Sequence, residues 1–412
     1  MKKWLLIILA LPVLFYCFLL LRSSIPVTVH DQDLQLVRTD IPAGSNAFDV
    51  LQEAGRHLWW PEKQTAQLYD LARDTNWDAR LADTLLASNH ESLAGWDAAD
   101  KLPDFEVPEA TNFPVEVPYL TVWKKLAQMD GVRENALLHN GQDQEGFDQI
   151  ICHIQLARRM QNSHGVLISY LVGAAVNSMG LNQIQHWVGK THLDAGQLKN
   201  YLHQLELDPN EESAAFANTV KAEYQSQVPW FNDLQAGKNT NFPPLMHFMP
   251  VINSSQTRAL FANEAHLMIE AAQPPYNGSK LSDLESNRPG VVSMYLSGNA
   301  VGQLMFYTLV PTETAALAKK SQSDAQLQAT RTILALRAYQ LTHGTLPADL
   351  SALVPEFLDQ VPTDDFDGQP LRYSRERKIV YSVGRNLKDD GGDDRPTGPS
   401  RSPLDLVYRF DF

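Results

Sequence analysis

The chain has 412 residues, 44% hydrophobic and 20% charged, which is enough apolar material for a sizeable core and not the composition of a disordered polypeptide. Its formal net charge of −14 argues against nucleic acid as a partner, because binding by counterion release needs clustered Lys and Arg, and against docking on anionic lipid head groups. Its two cysteines, Cys17 and Cys152, lie in segments too unlike to share a bridge, so no disulfide framework is expected.

Trp4 to Leu21 carries no charge; as a helix it would run ~27 Å, close to the thickness of a bilayer core. Lys2 and Lys3 precede it and Arg22 follows. A cleaved signal peptide needs small residues at its cut site, and Leu19-Leu20-Leu21-Arg22 offers none. Phe15-Tyr16 ahead of Cys17 is equally unsuited to a lipoprotein site. The preferred reading is an uncleaved anchor over residues 1–22, spanning the bacterial inner membrane through residues 4–21. The two lysines would stay cytoplasmic, and everything after Arg22 would lie in the periplasm.

Residues 23–44, with Pro26, Pro42 and Gly44, read as a spacer. From Ser45 the pattern turns helical: Ala47, Phe48, Val50, Leu51, Ala54 and Leu58 share a 3.6-residue face, with Ser45 or Asn46 as N-cap and Trp59-Trp60-Pro61 as the stop. Helices are expected near 62–74 and 78–88, then a long loop over 97–118 through Pro103, Pro108, Pro114 and Pro118. Helices resume at Tyr119, where Ile150, Ile151, Ile154, Ala157 and Met160 form one apolar face. Val166 to Leu181 is nearly all apolar, but it is short for a span and contains Ser169, Asn177 and Ser178, so it reads as a buried core helix.

Segments 194–207 and 211–224 are amphipathic, separated by the turn Asp208-Pro209-Asn210; residues 229–250 read as irregular. Glu264 to Ala272 is helical, and Pro274-Pro275-Tyr276-Asn277-Gly278 is a break. Val291 to Pro311 is charge-free, yet Ser293, Ser297, Gly298, Asn299, Gly302 and Gln303 make it a buried central helix rather than a span. Residues 45–311 are therefore read as an all-α domain of roughly ten helices.

At Thr312 the character changes. A long helix over 313–342 meets Gly344 as its cap, a short helix is expected from Pro347, and three apolar runs (Leu371–Ser374, Lys378–Val383, Leu406–Phe410) read as strands. Residues 312–412 should thus be a small α+β module, one long helix packed on a three-stranded antiparallel sheet. The whole chain is mainly α: an N-terminal membrane helix, an all-α array, then this module.

Leu336-Arg337-Ala338-Tyr339, His343-Gly344, Pro347, Leu350, Leu353, Pro362, the Asp367-Gly368 turn, Tyr373, Tyr381-Ser382-Val383-Gly384 and Asp405-Leu406 follow one another in an order that resembles the globular domain of the type II secretion major pseudopilin. The chain departs from that family at its start, which has no Phe-Thr-Leu-Ile-Glu run continuing into the domain; the resemblance is to the module found at the end of large bacterial envelope proteins. It implies a calcium loop between the last strands, and the matching positions are Asp389, Asp390, Asp393, Asp394 and Asp405. Calcium takes about six to eight hard oxygen ligands, which Asp spaced by Gly391 and Gly392 can supply. Asp364, Asp365 and Asp367 before Gly368 form a turn and not an EF-hand, since Ser374 stands where the bidentate Glu belongs.

Elsewhere the chain contains no His-Glu-x-x-His, Gly-x-Ser-x-Gly, phosphate-binding or dinucleotide motif. His153 and His164, and His186 and His192, are spaced too far for one helical turn and read as core or solvated residues; adjacent Cys152 and His153 point apart. Glu264 and Glu270 flank His266, and Trp59, Trp60 and Trp96 read as core aromatics. These readings favour a non-catalytic, envelope-anchored scaffold or binding protein with an envelope protein as partner and a link to secretion or surface assembly. The alternative is a periplasmic hydrolase with its site in the helical domain.

Overall fold

The computed structural model describes residues 2–38, 40–111, 115–206, 209–236, 238, 252–397 and 402–412. It is mainly helical with a small three-stranded antiparallel sheet near the C-terminus. Helices α1 (Lys2–Ser24), α2 (Ala47–Arg56), α3 (Thr65–Ala72), α4 (Ala79–Ser88) and α5 (His90–Asp100) are followed by the irregular proline-rich stretch. Then come α6 (Tyr119–His139), α7 (Asp143–Gln161), α8 (Leu167–Trp187), α9 (Ala195–Gln204) and α10 (Pro209–Gln235). The last group is α11 (Ser254–Ala271), α12 (Ser279–Ser286), α13 (Val291–Leu296) and α14 (Ala300–His343).

Short polar side chains set several of the starts. Asn46 accepts from Phe48 N, Asp78 from Arg80 N and Leu81 N, and Asn253 from Gln256 N, each satisfying donors that the first helical turn leaves open. Asp194 and Gln197 form a reciprocal capping box at α9. Gly344 closes α14 at φ +75°, a conformation that costs a side chain dearly.

Three large clusters make up the core. Leu51, Trp96, Trp123, Leu156 and Met160 join α2, α5, α6 and α7; Tyr170, Phe216, Phe261, Phe306 and Leu317 join α8, α10, α11 and the first half of α14. The third runs from Phe147, Ile154 and Ile184 through Ile333 and Leu334 to Leu353, Val380 and Phe410. Both of the last two clusters draw on α14, which therefore ties the helical array to the C-terminal sheet. That sheet has the order β1 (Arg372–Ser374), β2 (Ile379–Ser382), β5 (Leu406–Arg409), with Tyr373 opposite Val380 and Val380 opposite Tyr408; β3 (Pro396–Thr397) pairs separately with β4 (Ser402–Pro403).

Several expectations change. The boundary drawn at residue 312 falls inside α14, which continues through Pro311 without a break. Val291–Pro311 is two helices, parted at Ser297-Gly298-Asn299 with Gly298 at φ +78°, and Val291 and Val292 are 69% and 71% exposed instead of buried. The turn after Pro347 begins only at Leu350, where Asp349 supplies the cap. α10 runs on through Pro229, while Asp208 and residues 239–250 lie outside the described residues, as does Pro114. The N-terminal helix forms as expected, but among the described residues no helix is long and apolar enough to cross a membrane; the side chains of residues 1–9 are outside that set.

Candidate functional site

α6 carries Asp130, Arg133 and Glu134 at i, i+3 and i+4, a spacing that places all three on one face of the helix. That face meets α7, which adds Gln149 and His153. His153 is wholly buried; its Nδ1 lies 2.8 Å from Glu134 Oε1 and 3.4 Å from Asp130 Oδ2, and its Nε2 lies 3.1 Å from the Val176 carbonyl on α8. A carbonyl can only accept, so Nε2 carries a hydrogen. Arg133 joins Asp130 to Asp97 on α5, donating to both Asp97 oxygens at 2.9 and 2.7 Å, and the edge of Trp96 closes over the imidazole at 5.3 Å.

Burial alone would discharge this group. It works against a charged His153, but Glu134 and Asp130 outweigh it and push the imidazole up to about 10. Asp130 is buried too, yet Arg133 and His153 hold its carboxyl below the usual range. For Glu134 burial wins over the His153 charge and its pKa is raised. Glu134 Oε2 is buried and has no hydrogen-bond partner among the described residues.

Glu134 is also where the cluster meets open space. It lines a cavity of about 310 Å³ between α3, α6 and α8, together with Tyr69, Arg73, Gln128, Ser178, Asn182, Gln183 and His186. Several of these polar groups already have structural partners. Ser178 Oγ donates to Gln326 at 2.7 Å and Gln183 Nε2 to the Ala72 carbonyl at 2.8 Å. Asp74, at φ +52° just past α3, accepts from His139 Nε2 at 2.7 Å and His186 Nε2 at 2.8 Å. Burial would raise the Asp74 carboxyl, but the two histidines keep it below its ordinary value, and His139 stacks on Trp77 at 4.4 Å.

The five aspartates expected to hold calcium are distributed differently. Asp405 is fully buried, and its oxygens accept the main-chain N–H groups of Asp390, Gly392 and Asp393 at 3.3, 2.6 and 3.3 Å. Asp390 pairs with Lys388 at 2.8 Å, Asp393 with Arg395 at 2.5 Å and Asp394 with Arg409 at 2.8 Å. Asp389 accepts from Gly391 N at 2.9 Å and from Tyr381 Oη at 3.3 Å. Among the described residues, the group whose ligand atoms converge is instead Asp130, Glu134 and His153.

Asp364 is a buried hub of the expected turn, accepting from Phe366 N, Ser382 Oγ, Val383 N and Arg372. Cys152 is half-buried, and burial with nearby Asp100 pushes its thiol up to about 12, which makes it a poor nucleophile. Glu264 is buried while Glu270 is exposed, so the two do not face one space, and His266 pairs with Asp33 at 3.0 Å. Trp96 is core, whereas Trp59 is exposed and Trp60 lies against Tyr69 and under Lys125. His153 is the core histidine that its spacing implied; its partners were missed because they sit on another helix. The one local signal was the Asp130/Glu134 pair on a helix that is otherwise buried at those positions.

Comparison with protein-family models, curated proteins and solved structures gives no match.

Proposed function

We propose that this chain is an envelope-anchored binding protein whose helical array takes a small ligand in the cavity between α3, α6 and α8. The observation that carries the reading is the cavity itself, about 310 Å³, where apolar Ala127, Ala175 and Met179 meet polar Gln128, Asn182 and Arg73. Pockets of this size that combine apolar walls with a few convergent polar groups are the usual form of a small-molecule site. Ser178 and His186 are engaged by Gln326 and Asp74, which favours binding over chemistry.

α1 is the proposed inner-membrane anchor, with the rest of the chain periplasmic. Its supports are the exposed Leu14, Phe15, Phe18 and Leu21, and the exposed Val291, Val292 and Tyr295 of α13. The end of α1 meets the segment after α13: a Cβ on Gly298 would stand 2.5 Å from Ser23 N, and Asn253 Nδ2 donates to the Ser23 carbonyl at 2.8 Å. A helix end and an apolar patch side by side suit a bilayer surface. Residues 312–412 are proposed as a pseudopilin-like assembly or docking end for an envelope protein. Calcium is proposed there as a weak ligand, in the ~0.1–1 mM range of extracellular modules, because Asp390 and Asp393 must exchange Lys388 and Arg395 for the ion. One observation favours the rival reading of a hydrolase, the convergence of Asp130, Glu134 and His153.

Native mass spectrometry of the detergent-extracted chain tests the cavity. A small-molecule adduct present in the wild type and lost in Ala175→Trp, whose residue lines the cavity, supports the reading. Absence of an adduct, with no thermal stabilisation by small amines or polyols, refutes it.

A further inference from the structure

Asp130, Glu134 and His153 do more than fill the core. We propose that they bind one divalent first-row transition-metal ion through Asp130 Oδ2, Glu134 Oε1 and His153 Nδ1. A metal-binding imidazole ordinarily donates its second N–H to a carbonyl or carboxylate, which fixes the tautomer and leaves the other nitrogen for the ion. His153 has that arrangement, with Nε2 on the Val176 carbonyl and Nδ1 turned to the two carboxylates.

The spacing fits. Bonds of about 2.05 Å in a tetrahedral site put neighbouring ligand atoms ~3.3 Å apart. His153 Nδ1 stands 3.4 Å from Asp130 Oδ2 and 2.8 Å from Glu134 Oε1, and all three ligand atoms lie within 4.8 Å of one another. Admitting the ion needs the His153–Glu134 contact to open by about half an ångström. The donor set of one imidazole and two carboxylates suits Zn²⁺, Mn²⁺ or Fe²⁺.

A further feature points to a missing ligand: Glu134 Oε2 is fully buried yet has no partner among the described residues, and Glu134 is the member of the trio that borders the cavity. Charge agrees. Arg133 faces three carboxylates, Asp97, Asp130 and Glu134, so a divalent ion would supply positive charge that the group lacks. Arg133, held by Asp97, keeps Asp130 oriented from behind. The site stands whether or not the cavity also takes an organic ligand.

The test uses the full chain in detergent, stripped with chelator and titrated with Zn²⁺ or Co²⁺ alone. One equivalent should bind to the folded chain. Co²⁺ should show the intense visible bands of a low-coordinate site. Glu134→Gln and His153→Gln should each weaken binding by at least the ~10–100-fold typical of losing even an outer-shell partner. Asp389→Asn/Asp393→Asn should leave it unchanged, which separates this site from the C-terminal loop. Absence of stoichiometric binding to folded protein, or binding that persists in Glu134→Gln, overturns the proposal. The near-isosteric Glu134→Gln carries the test if His153→Gln does not fold. Loss of the cavity adduct in Ala175→Trp with metal binding intact would show that the two sites are separate.

Discussion

Lys320 on α14 is 2% exposed, its Nζ 2.6 Å from Asp324 Oδ2 and donating to the Ala272 carbonyl at 3.0 Å. Glu212 of α10 and Asp365 of the C-terminal turn face the same pair. Burial first, and then Asp324, raises both: Asp365 is pushed up to about 8 and Glu212 well above the carboxylate range. Lys320→Met removes the cation these carboxyl groups share. Breaking a buried pair from one side costs about 3–5 kcal/mol, because the remaining charge is stranded. The pH dependence is the sharper readout. Asp365 ionises near 3.8 when unfolded and near 8 when folded, so between those values the folded state keeps a proton that the unfolded state has lost. Wild-type stability should therefore fall as pH rises through that window, by at most ~1.4 kcal/mol per pH unit for one carboxyl and less because Asp365 is only half-buried. In Lys320→Met the carboxyls prefer their protons more strongly still, so its deficit should be smallest at pH 5.5 and largest at pH 8. Urea unfolding followed by circular dichroism at the two pH values measures this, with Asp365→Asn expected to flatten the wild-type slope. A deficit equal at both pH values, or larger in acid, would refute the reasoning.

Asp364→Ala should destabilise the C-terminal module by about 1–3 kcal/mol in urea unfolding, since it leaves the Val383 N–H and Ser382 Oγ without their buried acceptor, while Arg372 keeps Asp367. Gly173→Ala should cost about 1–3 kcal/mol in the same assay, because its Cβ would stand 2.8 Å from Gln161 N and 3.1 Å from the Met160 carbonyl carbon, where the backbones of α7 and α8 approach. Cys152 should resist iodoacetamide at pH 8 in the native protein and react once urea is added, as peptide mass spectrometry would read; rapid native labelling would contradict its raised thiol pKa. Calcium should raise the thermal midpoint with half-effect at ~0.1–1 mM, and no shift by 10 mM (about ten times the upper limit) would remove it from the C-terminal loop.

Local chemistry carried much of the architecture. The Val166–Leu181 run made a largely buried helix, with Ile168 exposed, Gly344 ended its helix, and three short β-rich runs made a three-stranded antiparallel sheet, because apolar period, cap residues and turn residues act within a few positions of one another. The break at Ser297-Gly298-Asn299 and the continuation of α14 through Pro311 were not legible that way. There, packing against α1, α11 and the C-terminal strands overrides a sequence that reads as one helix ending and another starting. The candidate site was hidden for a related reason. Asp130 and Glu134 share a helical face that the sequence reveals, but 19 residues separate Glu134 from His153, and Val176 lies a further helix away.

By itself, then, the sequence determined most of the helices, the three strands, the apolar first helix, the acidic turn at Asp364 and the run of aspartates near the C-terminus. Tertiary structure decided which charges lose their water. It gave Asp390, Asp393 and Asp394 exposed Lys and Arg partners and Asp405 main-chain N–H groups, while the crossing of α6, α7 and α8 buried Asp130, Glu134 and His153 together beside Arg133 and the Val176 carbonyl.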